Sequence, residues 1–134
     1  MSQLLRRILL SASLLLLVCL SGCLHDIHVE GGLPDGDPEL AYRLVNDEGA
    51  LLLDVRTPQE FAQDGLPEAR NVWIEELPQR LQEIESLAGG DRKKPIVVYC
   101  TAGVRAARAK RILLGAGYTQ VSNLGGVSDW PDKR

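Results

Sequence analysis

The chain has 134 residues, 45% of them hydrophobic, three cysteines and a formal net charge of -3. That length allows one domain, and three cysteines suit neither a disulfide scaffold nor a four-ligand zinc site. Residues 1–22 carry two arginines and no acid, which leaves 13 basic against 18 acidic groups and a net charge of -5 for the remaining 112 residues; that balance argues against a nucleic-acid partner.

Arg6-Arg7 precedes an almost unbroken apolar run from Ile8 to Leu20, the layout of a secretory signal over residues 1–22. Its 13 residues fall short of the roughly 18–20 that a membrane-spanning helix needs. The run ends in Leu20-Ser21-Gly22-Cys23, which resembles the lipobox at which bacterial lipoprotein precursors are cut before a cysteine. The resemblance implies a diacylglycerol on the Cys23 thiol and loss of Cys19 with the signal. An ordinary cleaved signal or an uncleaved anchor is the alternative. Leu24 stands where an aspartate would favour the inner membrane. The expectation is therefore a protein of the bacterial cell envelope, held by lipid on Cys23, facing the periplasm and on the outer membrane.

Residues 23–36 read as a lipidated N-terminus and tether, because Gly31-Gly32, Pro34 and Asp35-Gly36 are breakers rather than periodic structure. Thirteen residues from Leu24 to Gly36 reach at most about 45 Å. His25, Asp26, His28 and Glu30 lie in this stretch without the spacing of a defined metal site, and no metal is assigned.

Residues 37–134 read as the domain. Asp37 before Pro38 predicts a capped helix with Leu40, Leu44 and Val45 on one face. Leu51 to Val55 suits a buried parallel strand. Thr57-Pro58-Gln59-Glu60 is a capping box opening a short helix that bears Phe61. Asn71-Val72-Trp73-Ile74 predicts a second strand, and Leu77, Leu81, Ile84 and Leu87 a helical face. Pro95 to Tyr99 is the clearest strand. Val104 to Gly115 predicts a helix, Gln120 to Leu124 a strand, and Gly125-Gly126 a turn leading to Trp130. Strand and helix alternate, so the expected fold is α/β, with a central, mostly parallel sheet and helices on both faces.

Ligands of such sheets bind beyond the carboxyl ends of the strands, and Cys100 follows Tyr99 at one of them. A thiol at the mouth of a helix N-terminus meets unpaired backbone N–H groups and the positive end of the dipole, which favour the thiolate. Gly103 permits the curl that aims successive amides at one point, and Arg105 adds a fixed charge. Thr101, Ala102, Gly103, Val104 and Arg105 therefore form a candidate anion cradle around a reactive sulfur. Arg105 can also close the loop by pairing with a nearby acid. Asp54 and Arg56 suit structural support of a strand-to-helix turn. Arg108, Lys110 and Arg111 suit either attraction of anions or a solvated helix face, and Trp73 and Trp130 suit packing.

Cys100-Thr101-Ala102-Gly103-Val104-Arg105-Ala106 resembles the active loop of rhodanese-type sulfurtransferases. Leu53-Asp54-Val55-Arg56 with Glu60-Phe61, then Pro67, Ala69 and Asn71, and finally Gly117-Tyr118, Val121 and Leu124-Gly125-Gly126 through Trp130 are similar to the other family motifs. The likeness spans about residues 38–130. It departs at Asp64-Gly65-Leu66-Pro67-Glu68-Ala69, which lacks the usual histidine and has Glu68 for the second glycine. The resemblance implies a rhodanese-like three-layer fold and a single-domain enzyme without a cofactor. In that chemistry Cys100 takes the outer sulfur of thiosulfate or a similar small anionic donor as a persulfide and yields it to a thiol or cyanide acceptor. A monomer is expected.

Three alternatives stand beside this reading. A cysteine-based phosphatase or arsenate reductase would place five residues between cysteine and arginine, where this chain has four. A non-catalytic rhodanese-like module, binding a partner or carrying sulfur at the membrane, would ordinarily lack the cysteine. A disulfide oxidoreductase needs a resolving cysteine, and residues 24–99 and 101–134 contain none.

Overall fold

The computed structural model describes residues 31–131. Cys19, Cys23, His25 and His28, with the signal, lipidation and most of the tether expected around them, lie outside the described residues. The described chain runs α1 (Pro38–Asn46), β1 (Leu51–Asp54), α2 (Pro58–Asp64), β2 (Arg70–Asn71), a 3-10 turn (Leu77–Gln79), α3 (Leu81–Leu87), β3 (Ile96–Cys100), α4 (Val104–Gly115), β4 (Val121–Gly126) and a 3-10 turn (Val127–Asp129). All strand pairings are parallel, in the order β2-β1-β3-β4.

The period of two along the strands divides the core into two layers. Leu51, Leu53, Ile96, Val98, Cys100 and Val121 face Leu77, Ile84, Ala106, Ala109 and Leu113, so the 3-10 turn, α3 and α4 cover one side. Leu52, Val97, Tyr99 and Leu124 face Ala41 and Leu44 of α1, with Leu66, Ala69 and Trp130 packed at the margin. The sheet is thus buried on both faces, as the unbroken apolar run of β3 requires. Tyr42 and Trp130 also meet, with ring centroids 5.7 Å apart.

Local signals account for most helix boundaries. Asp37 accepts a hydrogen bond from the Leu40 N–H at 2.9 Å, and the Thr57/Glu60 capping box is formed in both directions. Three expectations change. The strand expected over 71–74 is only Arg70–Asn71, because β1 ends at Asp54; beyond it the Val72 and Ile74 N–H groups bond to the Asp54 and Val55 carbonyls outside a regular ladder. The apolar face from Leu77 to Leu87 is broken at Arg80 (φ -107°, ψ 17°), which separates a proline-containing 3-10 turn from α3. Gly125-Gly126 is no turn but the end of β4, pairing with Tyr99 and Cys100 after a register shift at Val98/Tyr99.

The last residues of the expected tether are packed against the domain. The Leu33 N–H donates to the Val121 carbonyl at 2.9 Å and the Gly36 N–H to the Asn123 carbonyl at 2.8 Å, so this strap covers the open edge of β4. Lys110 Nζ holds it from α4, through the Leu33 carbonyl at 2.7 Å and Asp35 Oδ1 at 2.6 Å.

Candidate active site

Parallel strands bring the carboxyl ends of β1, β3 and β4 to one side of the sheet, and the turns leaving those ends build the site. Cys100 is the last residue of β3 and faces α4. It is a free thiol, only 1% exposed. Gly103, with φ at 87°, caps α4 and directs its N–H to Cys100 Sγ at 3.0 Å. A Cβ there would stand 3.3 Å from the Gly125 Cα, so both backbone conformation and space favour glycine. Burial pushes the Cys100 thiol up, but the backbone N–H groups of Ala106, Ala102, Gly103 and Arg105 outweigh it and hold the thiol below its ordinary value. Of these, Ala102, Gly103 and Arg105 lie in the expected Thr101–Arg105 loop and Ala106 one residue beyond it.

Arg105 closes the loop, and its acid partner is Glu60. Nη1 and Nη2 donate to the two carboxylate oxygens, each at 2.8 Å, and Nη2 also reaches Thr101 Oγ1 at 2.9 Å. Hydrogen bonds from Arg105, and then from the Thr57 backbone, hold the Glu60 carboxyl far below the carboxylate range. Glu60 raises the Arg105 guanidinium in turn, and the Cys100 sulfur adds to that shift. One side chain thus caps α2, positions Arg105 and ties the β1 turn to the β3 turn. Glu60 is legible in the sequence as a capping residue, whereas its second role depends on a contact 45 residues away in the chain.

Asp54 ends β1 and Arg56 lies in the turn that leads from it to α2. Both are buried. Arg56 grips Asp54 through Nε at 3.0 Å and Nη2 at 2.7 Å, and Nη1 reaches Asp64, the last residue of α2, at 2.7 Å. The hydrogen bonds to Asp54 raise the Arg56 guanidinium above its ordinary value. Asn71 Nδ2 ties down the carbonyls of Asp54 and Arg56, both at 3.0 Å.

Asn123 is a positioning residue that pattern reading misses. Its Nδ2 donates to the Gly103 carbonyl at 3.1 Å and its Oδ1 accepts from the Gly125 N–H at 2.9 Å. It clamps the Cys100 loop to the shifted end of β4. Gly126 packs directly on the Thr101 carbonyl, and its N–H bonds to Asp129 Oδ2 at 2.7 Å. The remaining basic residues of α4 are mostly engaged elsewhere: Arg108 pairs with Glu75 at 2.6 Å, and Lys110 holds the strap.

The sequence pattern of the rhodanese-like domain matches residues 37–133. This chain belongs to the rhodanese-like family. A sulfurtransferase of Allochromatium vinosum is 37% identical over 92 residues, which cover 68% of this chain and 80% of that protein. The thiosulfate sulfurtransferase PspE of Escherichia coli is 36% identical over 77 residues, 58% of this chain and 70% of the relative. Among solved structures, a rhodanese with anions from E. coli superposes with a TM-score of 0.55 at 34% identity, over 61% of this chain and 94% of that one. The α/β fold with its parallel four-stranded sheet is therefore the rhodanese fold, and both of the relatives named above are sulfurtransferases.

Proposed function

We propose that this protein is a sulfurtransferase in which Cys100 accepts a sulfane sulfur from thiosulfate or a similar anionic donor, holds it as a persulfide, and passes it to a thiol or to cyanide. The observation that carries this reading is the hydrogen bond of the Gly103 N–H to Cys100 Sγ at 3.0 Å at the start of α4, in a turn whose backbone amides hold the thiol below its ordinary value. Those amides stabilise the attacking thiolate and, after attack, spread the charge of the persulfide.

In the first half-reaction the thiolate attacks the outer sulfur of the donor. The donor's S–S bond breaks, and its electron pair leaves with sulfite when the donor is thiosulfate. In the second half-reaction an acceptor thiolate attacks the outer sulfur of the persulfide, and Cys100 leaves as a thiolate. Splitting the transfer in two gives each step a good leaving group. No side chain need remove the Cys100 proton if the amides already keep the sulfur ionised. Residues 31–131 contain no histidine, and the Tyr99 hydroxyl is committed elsewhere, accepting from the Leu66 N–H at 2.9 Å.

The test is the intact mass of the protein after incubation with thiosulfate. The expected result is a gain of one sulfur atom, mapped to Cys100 and absent in Cys100→Ser. A Cys100 that takes up no sulfur from any sulfane donor would overturn the reading. The Leu20–Cys23 motif supports a further part of the proposal, a lipid-anchored protein facing the periplasm. Membrane-extracted protein beginning at a diacylated Cys23 is expected; a retained Met1 or an unmodified Cys23 refutes the anchor.

A further inference from the structure

The loop offers an incoming dianion no cation of its own. Arg105 is the one basic side chain between Cys100 and Ala106, and it already faces two anions, the Glu60 carboxylate at two points and the Cys100 sulfur. The next cation along α4, Arg108, is paired with Glu75. Asp129 adds a carboxylate beside Gly126, which packs on Thr101. The remaining loop side chains, Thr101, Ala102 and Val104, are uncharged. Val104 is 78% exposed, the only large hydrophobic residue left so open among the described residues. It stands at the first position of α4, next to the Arg105 and Ala106 amides that hold the sulfur.

We propose that Val104 and Ala102 make this loop selective for sulfur donors that bring an apolar body and at most one negative charge, in preference to the thiosulfate dianion. The proposal rests on the reading of Cys100 as the sulfur acceptor. A dianion approaching a thiolate is opposed by both of its charges. In this loop the opposition is met by neutral amides alone, since the charge of Arg105 is already matched. An organic thiosulfonate removes one charge and presents its substituent to Val104, which is solvated without it. The reaction balances in the same way: the thiolate bonds to the outer sulfur, the S–S bond breaks, and the electron pair leaves with the sulfinate.

Three donors separate charge from apolar contact: thiosulfate, methanethiosulfonate and benzenethiosulfonate. The readout is the rate of sulfur gain on Cys100, divided by each donor's rate with free cyanide to remove intrinsic reactivity. Expected is the order benzenethiosulfonate, methanethiosulfonate, thiosulfate, with about tenfold or more between first and last. Val104→Ala should cut the preference for the benzene over the methane compound about threefold, as loss of two methyl groups from a contact surface implies. Val104→Lys should raise thiosulfate relative to methanethiosulfonate about fivefold. Thiosulfate as the best donor after normalisation, or donor ratios that neither substitution moves, would overturn the selectivity while leaving Cys100 as the acceptor. If none of the three donors places sulfur on Cys100, the selectivity falls together with the proposed function.

Discussion

Replacing Asn123 by alanine tests whether the loop holds its amides in place or is held. The half-buried side chain makes two hydrogen bonds, to the Gly103 carbonyl and from the Gly125 N–H. At about 1 kcal/mol net for each, their loss is worth about 2 kcal/mol. If all of it reached global unfolding, a domain near 100 residues would melt about 8–16 °C lower; local opening of the loop makes that an upper bound. The effect on chemistry follows from the Gly103 N–H, 3.0 Å from Cys100 Sγ. A hydrogen bond to a charged group contributes about 1.5–3 kcal/mol, so its loss should slow sulfur uptake roughly 10- to 100-fold. The assay is the time course of sulfur gain on Cys100, with the pH dependence of alkylation measured on the same protein. The alkylation midpoint of Asn123→Ala should move up, toward the ordinary thiol value. Asn123→Asp keeps an acceptor for the Gly125 N–H and loses the donor to Gly103, so it should recover stability more than rate. A wild-type rate and an unchanged midpoint in Asn123→Ala would show that the loop orders its amides without β4, and the reasoning would fail.

The alkylation midpoint of wild-type Cys100 should lie below the ordinary thiol value of 9.0 and return toward it in urea-unfolded protein, which a pH series with iodoacetamide would show. Glu60 gives a stability prediction with a definite sign. Its folded carboxyl lies below its ordinary value of 4.5, so its contribution is full above that pH and lost as pH falls beneath it. Glu60→Gln should therefore flatten the acid limb of a urea-stability profile, and an acid limb identical to wild type would count against the ion pair. Glu68 is the only non-glycine residue of positive φ among the described residues, at 65°, where a side chain costs about 1–2 kcal/mol. Against the greater freedom of glycine in the unfolded chain, Glu68→Gly should gain about 0.5–1 kcal/mol, a melting point higher by a few degrees. Leu113→Ala should lose about 2–5 kcal/mol in denaturant titration, because its side chain on α4 is fully buried against the sheet.

What could be read from the sequence was whatever the chain encodes within a few residues. The Asp37 cap, the Thr57/Glu60 box and the buried run before Cys100 each depend on near neighbours, and all three are present in the structure. The misreadings involve partners that local pattern does not name. Gly125-Gly126 has turn composition, yet both glycines pair with β3 at the end of β4, where a Cβ would meet Asp129 Oδ2 at Gly125 and the Thr101 carbonyl at Gly126. The end of the tether has linker composition, yet its backbone satisfies the edge of β4. Asn123 looks like an ordinary polar residue in a strand, yet it forms the last pair before the register shift, and its side chain bonds both the Gly103 carbonyl and the Gly125 N–H. Glu68 shows the converse: the departure from glycine is evident in the sequence, and the structure shows that the glutamate takes the left-handed conformation instead of rerouting the chain.

The parts of the site come from three chain reversals, and their precision depends on how each is restrained. Arg56 grips Asp64 at the far end of α2, while Thr57 caps the near end, so Glu60 has little freedom before it meets Arg105. Burying the Asp54–Arg56 pair carries a desolvation cost that its mutual attraction need not exceed. Its contribution is therefore better understood as fixing the direction in which α2 leaves β1, and hence the place of Glu60. Arg105, gripped at two points, then fixes one end of the Cys100 loop, as Asn123 fixes its middle. A thiolate held by backbone amides needs this rigidity, since an amide cannot rotate after a moving charge as a side chain can. It also means that the stabilising groups do not depend on the identity of the side chains at 102 and 104, whereas the Thr101 hydroxyl belongs to the Arg105–Glu60 closure. Positions 102 and 104 can vary without dismantling the cradle, which leaves Val104 free to act on donor choice.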